Sequence, residues 1–279
     1  MQGNILTTGP NSICKLTAIA SRPDYGRTKP VRVLAEAPDG TEFEAYLKAP
    51  HLGEKTFPCL LEREWFAGRL AQQLGLPCAP PLQIHLEPDV VASVQDAFLR
   101  NRLQTGPEIL FGSLSGGAGW IEWSDSMSLS RDCIQLAAEI YLFDTIIQNW
   151  DRCAPNPNLL VKGERFLMID HGEAFVGATG NGAERDHHAL PWKVGGVENH
   201  VGEYEMHPLW PKLCPKNRVD FNAAADRWKA LPDDVFTLIA TDVPDCWSNV
   251  TASRIAAYMA EAVENVNAIV ANIEYNFHR

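Results

Sequence analysis

The chain has 279 residues, 46% of them hydrophobic, enough for a sizeable core in one large domain or in two lobes sharing a cleft. Lys and Arg number 24 against 35 Asp and Glu, a formal net charge of -11, which argues against a nucleic-acid backbone or an anionic membrane as the default partner. Seven scattered cysteines, no basic-then-apolar leader and no apolar run fit to span a bilayer together lead to the expectation of a reducing, cytoplasmic setting.

Residues 13–19 read as an edge strand, and 21–30, with Gly26 and two prolines, as a loop. Backbone amides of that loop, Tyr25-Gly26-Arg27-Thr28-Lys29-Pro30, could wrap phosphates, with Gly26 and Arg27 at its centre. One glycine is far from a nucleotide fingerprint, and ordinary turn geometry explains it equally well. Val31-Arg32-Val33-Leu34, the Pro38-Asp39-Gly40 turn and the alternating Phe43-Glu44-Ala45-Tyr46-Leu47-Lys48 make a hairpin. Residues 60–74 follow as a helix with Leu61, Trp65, Leu70 and Leu74 near one side, stopped by Gly75 and Pro77. Residues 81–86 return as a strand.

A Gly- and Ser-rich connection then spans 103–123, with a hinge expected within 94–119. Residues 133–149 are helical, with Leu136, Ile140, Phe143 and Ile147 on one side. A loop from Asp151 leads to short extended runs at 159–161 and 166–169. Residues 178–215 lack a sustained period and read as loops with short helical pieces. Helices close the chain over 220–231, 233–241 and from 251 onward.

The chemistry-bearing stretch is Asp151-Arg152-Cys153-Ala154-Pro155-Asn156, followed by Ile169-Asp170-His171-Gly172. An acid and an amide five residues apart on a loop, then a second acid where an apolar strand ends, can hold a divalent metal and turn a hydroxyl toward a nucleotide phosphate. Asp151 is the candidate acid-base, with a loop-capping role as its structural alternative. Asn156 and Asp170 are the candidate metal pair, Asn158 being a nearby substitute for the first. Arg152 fits bracing of the loop better than substrate contact. Lys48, ending its strand, could reach phosphates, with Glu64 on the next helix as its partner and Glu62 as a competitor. His171, His187 and His188 do not space as a zinc site.

These segments resemble the HipA-like kinase family, and more distantly protein and phosphatidylinositol kinases. The family's Asp-Arg-His-x-x-Asn pattern stands here as Asp151 to Asn156, with Cys153 in place of the histidine, and its acidic metal motif as Ile169-Asp170-His171-Gly172. Tyr46-Leu47-Lys48, the helix around Glu64, Leu74-Gly75-Leu76-Pro77 and Phe111-Gly112-Ser113 resemble its small lobe and the connection that follows.

The resemblance implies an α+β, two-lobed protein-kinase-like fold: a β-rich nucleotide-binding lobe over 1–100, a connection over 101–123 and a mainly helical catalytic lobe over 124–279. It implies catalysis at Asp151, metal binding at Asn156 and Asp170, and nucleotide positioning at Lys48 with Glu64. The expected cofactors are ATP and Mg2+, and the expected acceptor is a protein serine or threonine. A small-molecule or lipid hydroxyl and a noncatalytic nucleotide- or partner-binding role are the alternatives.

Overall fold

The computed structural model describes residues 12–21, 30–49, 59–180, 189–198, 206–213 and 219–277. Five strands make the N-terminal lobe: β1 (Ile13–Ser21), β2 (Val31–Glu36), β3 (Glu42–Lys48), β4 (Pro81–His85) and β5 (Ile109–Leu114). They close into a barrel in the order β1-β2-β3-β5-β4. Closure overturns the expectation that the first strand lies at an edge, because β1 pairs antiparallel with β2 and parallel with β4. Two irregularities in the β1–β2 register, between Leu16 and Ala18 and between Ile19 and Ser21, supply the bending that closure needs. Val31, Val33 and Ala35 alternate into the interior, as a strand with one buried face must.

The stretch expected as connection is partly strand. Phe111-Gly112-Ser113 lies within β5, where Gly112 pairs with Leu47 on one side and Leu82 on the other. A Cβ at Gly112 would run into Ile84 Cδ1, so glycine here lets Ile84 pack directly against the strand. Two helices not foreseen from sequence, α2 (Pro88–Ala92) and α3 (Ala97–Thr105), precede this strand. The helix α1 (Leu60–Gln73) packs against the barrel and is almost wholly buried along its first nine residues.

The C-terminal lobe holds a small sheet, β6 (Ile121–Glu122), β7 (Leu159–Lys162) and β8 (Arg165–Met168), in the order β6-β7-β8. Around it lie α4 (Arg131–Ile146), the short α5 (Val176–Thr179) and α6 (Trp210–Leu213), then α7 (Phe221–Lys229), α8 (Val235–Thr241), α9 (Asn249–Glu264) and α10 (Val266–Phe277). The continuous last helix expected from sequence is two, broken at Asn265. Helix α4 forms the centre of this lobe: Ile140, Tyr141, Leu142 and Phe143 are fully buried, and Phe143 stacks on Trp228 at 5.9 Å. The result is a bilobal α+β arrangement. Among the described residues no helix is long and apolar enough to cross a membrane.

Candidate active site

The lobes meet beside the end of β8. Met168 donates its N–H to Pro77 O at 2.7 Å and accepts from Ala79 N at 3.0 Å, so the strand leading to Asp170 is stitched to the segment between α1 and β4. Two residues on, Asp170 has φ of 55°. This left-handed conformation is costly for a residue with a side chain and here turns the chain out of strand geometry. A Cβ at Gly172 would meet Leu60 Cδ1 at the start of α1, so this turn packs closely against the helix.

Three charged side chains converge at this point. Lys48 Nζ lies 2.7 Å from Asp170 Oδ2 and 3.1 Å from Glu64 Oε1. Glu64 Oε2 accepts the N–H of His171 at 3.0 Å, so the same carboxylate holds both the lysine and the loop. Burial alone would pull the Lys48 ammonium down, yet the carboxylates of Glu64 and Asp170 outweigh it and hold its pKa above the ordinary lysine value. Burial pushes Glu64 up against the pull of Lys48. Asp170 is held low, since the nearby ammonium overcomes the cost of burial. Glu62, the competitor for Lys48, turns away and accepts the Ser248 N–H at 2.6 Å.

Asp151 stands on the neighbouring loop. Its Oδ2 accepts from Asn156 Nδ2 at 2.8 Å and from Asn158 Nδ2 at 3.0 Å, which leaves Oδ1 clear of both amides. The backbone bridge between Cys153 and Asn156 closes the turn. Asn156 makes no hydrogen bond to Asp170, so the two candidate metal ligands are not joined directly. The loops are joined through Asn158 instead, whose carbonyl accepts the Ile169 N–H at 3.0 Å.

Arg152 fixes this relation from below. It is fully buried, with Nε on Asp144 Oδ2 at 2.7 Å, Nη1 on the carbonyls of Asn158 and Ile169, and Nη2 at 2.9 Å from His171 Nε2. Asp144 also accepts from His207 Nε2 at 3.0 Å and from Asn149 Nδ2 at 2.9 Å. The Arg152 guanidinium and His207 overcome burial and hold the Asp144 carboxyl far below the usual range. Arg152 therefore braces rather than touches substrate. Asp144 and His207 escaped the sequence reading, as did the bracing partner of His171, although Asp144 is a lone acid within the apolar run Ile140-Tyr141-Leu142-Phe143-Asp144-Thr145-Ile146-Ile147. Such a charge signals a buried, paired group.

Gly26 and Arg27 lie outside the described residues, as do His187 and His188. Among the described residues no three His, Cys, Asp or Glu side chains gather as a metal centre of their own. The donors on offer are the hard oxygens of Asp170 and of the Asn156 amide, whose nitrogen is committed to Asp151. That chemistry suits magnesium, given further oxygens from a bound phosphate or from water.

The family model for HipA-like kinases matches residues 16–207, more than half of the chain. No curated protein matches it in sequence. In fold it is similar to the Helicobacter pylori proinflammatory kinase CtkA, with a TM-score of 0.50 at 10% identity, covering 92% of this chain and 96% of that one. A Golgi casein kinase with Mn/ADP bound aligns over 92% of this chain and 73% of that one, at 10% identity and a TM-score of 0.46.

Proposed function

The chain belongs to the HipA-like kinase family, and from that premise we propose that it transfers the γ-phosphoryl group of ATP, with magnesium, to a serine or threonine hydroxyl of a protein. The observation that carries this reading is the meeting of Lys48 with Asp170 at 2.7 Å and Glu64 at 3.1 Å, beside a loop that presents Asp151. Lys48 neutralises phosphate oxygens, and Glu64 keeps its ammonium from swinging away. Asp170 and Asn156 are the proposed magnesium ligands, the first arriving on a strained backbone and the second anchored through its amide nitrogen. Magnesium held there would supply electrostatic stabilisation of the phosphate charge.

Asp151 takes the acid-base role. Two amides hold its Oδ2, so Oδ1 is the atom left to accept the proton of an incoming hydroxyl. Arg152 and Asp144 keep that carboxylate in register with Asp170 from the buried side. Cys153, where the family pattern has histidine, contributes to this turn through its backbone and leaves the acid and the amide in place. Protein serine or threonine is the acceptor class that the family assignment favours.

The test is a γ-labelled ATP assay on wild type, Asp151→Asn and Asp170→Asn, with acceptor proteins and small alcohols supplied in parallel. The expected result is acid-stable label on serine or threonine in wild type, and a loss of about 10²–10⁴-fold for Asp151→Asn with folding intact. Label confined to a small alcohol would reassign the acceptor class. Nucleotide binding without any transfer would make the chain a noncatalytic module and overturn the proposal.

A further inference from the structure

The family match ends at residue 207, yet the helix that bears Glu64 is held from beyond that point. Four residues of α1 and its cap meet the segment 242–251. Cys59 Sγ lies 3.2 Å from Thr251 Oγ1, and Glu62 Oε1 accepts the Ser248 N–H at 2.6 Å. Trp65 packs edge-on against Trp247 at 6.3 Å, and Arg69 reaches Asp242 at 3.6 Å. The positions 59, 62, 65 and 69 are spaced as one helical stripe.

The same segment also grips the barrel. Trp247 Nε1 donates to Ile109 O at 2.7 Å, and Gln83 Nε2 donates to Asp242 O at 2.6 Å. Next along α1, Arg63 donates from Nε to Thr179 Oγ1 at 2.9 Å and from Nη1 to Gly172 O at 3.1 Å. Of three consecutive residues, all buried, Glu62 thus binds the segment 242–251 while Arg63 and Glu64 both bind the turn at 171–172.

We infer that the segment 242–251 is a clamp that positions α1, and through it Glu64, so that the Lys48–Glu64 pair assembles without a second protein or a covalent modification. Glu62 and Trp247 are its positioning residues. The inference rests on the phosphotransfer reading for its consequence, though not for its geometry. A helix pinned along one stripe by a segment that itself grips the barrel cannot rotate Glu64 off Lys48 without breaking several contacts at once.

The experiment uses the full chain as wild type, Glu62→Ala, Glu62→Gln and Trp247→Phe. It measures kcat, the KM for ATP, and amide hydrogen exchange peptide by peptide. Glu62→Ala is expected to raise the KM for ATP and lower kcat, an overall loss of about ten- to hundredfold. Exchange should quicken in α1 while the barrel strands keep their protection. Glu62→Gln retains an oxygen for the Ser248 N–H and should recover most of the loss. Trp247→Phe keeps the ring but not its bond to Ile109, and should fall between. Folded variants with wild-type kinetics and wild-type α1 exchange would overturn the clamp, as would faster exchange spread evenly over the chain. A wild type that transfers no phosphate would sink the phosphotransfer reading alone, because exchange confined to α1 in Glu62→Ala would still decide for the clamp.

Discussion

At His171 the ring accepts from Arg152 Nη2 at 2.9 Å, and a guanidinium only donates, so Nε2 carries a lone pair and the proton sits on Nδ1. His207 is fixed in the other tautomer: Nε2–H donates to Asp144, while Nδ1 accepts the Leu209 N–H at 3.2 Å. Both rings are therefore neutral in the folded protein. Burial, then the adjacent guanidinium, pushes His171 down to about 3. Burial also lowers His207, against the pull of Asp144. With a folded pKa below the unfolded one, His171 contributes its full stability above about pH 6.5 and loses it progressively as pH falls toward 3. Glu64 acts in the opposite sense, since burial raises its pKa and acidification relieves that cost. The contribution of His171 is therefore read as a difference. Between pH 7 and pH 5 the melting temperature of wild type should drop about 2–4 °C more than that of His171→Gln, whose amide oxygen can still accept from Arg152. Parallel melting profiles would show that His171 is not held neutral by the fold. Little of this was legible beforehand, because a histidine after Asp170 carries no sign of its partners until Arg152 is known to be buried beside it.

The elements divide into those that local pattern announces and those that only distant pairing makes. The β2–β3 hairpin, α1 and α4 were legible from alternation, from apolar spacing and from Gly75 with Pro77. Barrel closure was not, since β1 meets β4 across a long separation and in parallel. The apolar stripe of α1 gave its position but hid its other side, where Glu62 and Arg63 are buried with hydrogen-bond partners and Glu64 with the Lys48 ammonium. Two substitutions probe these points. Gly112→Ala places a methyl against Ile84 in the closed barrel and should cost about 1–3 kcal/mol in urea unfolding. An unchanged midpoint would mean that β5 can move aside. Arg152→Met strands Asp144 without its cation in the core and should cost about 3–5 kcal/mol, while Arg152→Met combined with Asp144→Leu should recover much of it. Equal loss in the single and double variants would show that packing, not the pairing of charge, is what Arg152 supplies.

Across the whole molecule, Lys48, Glu64, Asp151 and Asp170 come from distant parts of the chain and are brought to the seam between lobes. Lys48, Glu64 and Asp170 meet because β3, α1 and the end of β8 are locked together there, and Asp151 follows because Arg152 ties its loop to the same strand end. The sequence pointed to Glu64 as the partner of Lys48, and the two side chains meet. It could not foretell that residues 242–251 would hold α1 from behind, because their contacts are side-chain and backbone pairings without a motif. The most direct test of the account is calorimetric titration of ATP, with and without magnesium, into wild type, Asp170→Asn and Asp151→Asn. We predict that Asp170→Asn loses the magnesium-dependent part of the affinity, while Asp151→Asn binds magnesium-ATP as wild type does. Magnesium-dependent binding undiminished in Asp170→Asn, or abolished in Asp151→Asn, would contradict it.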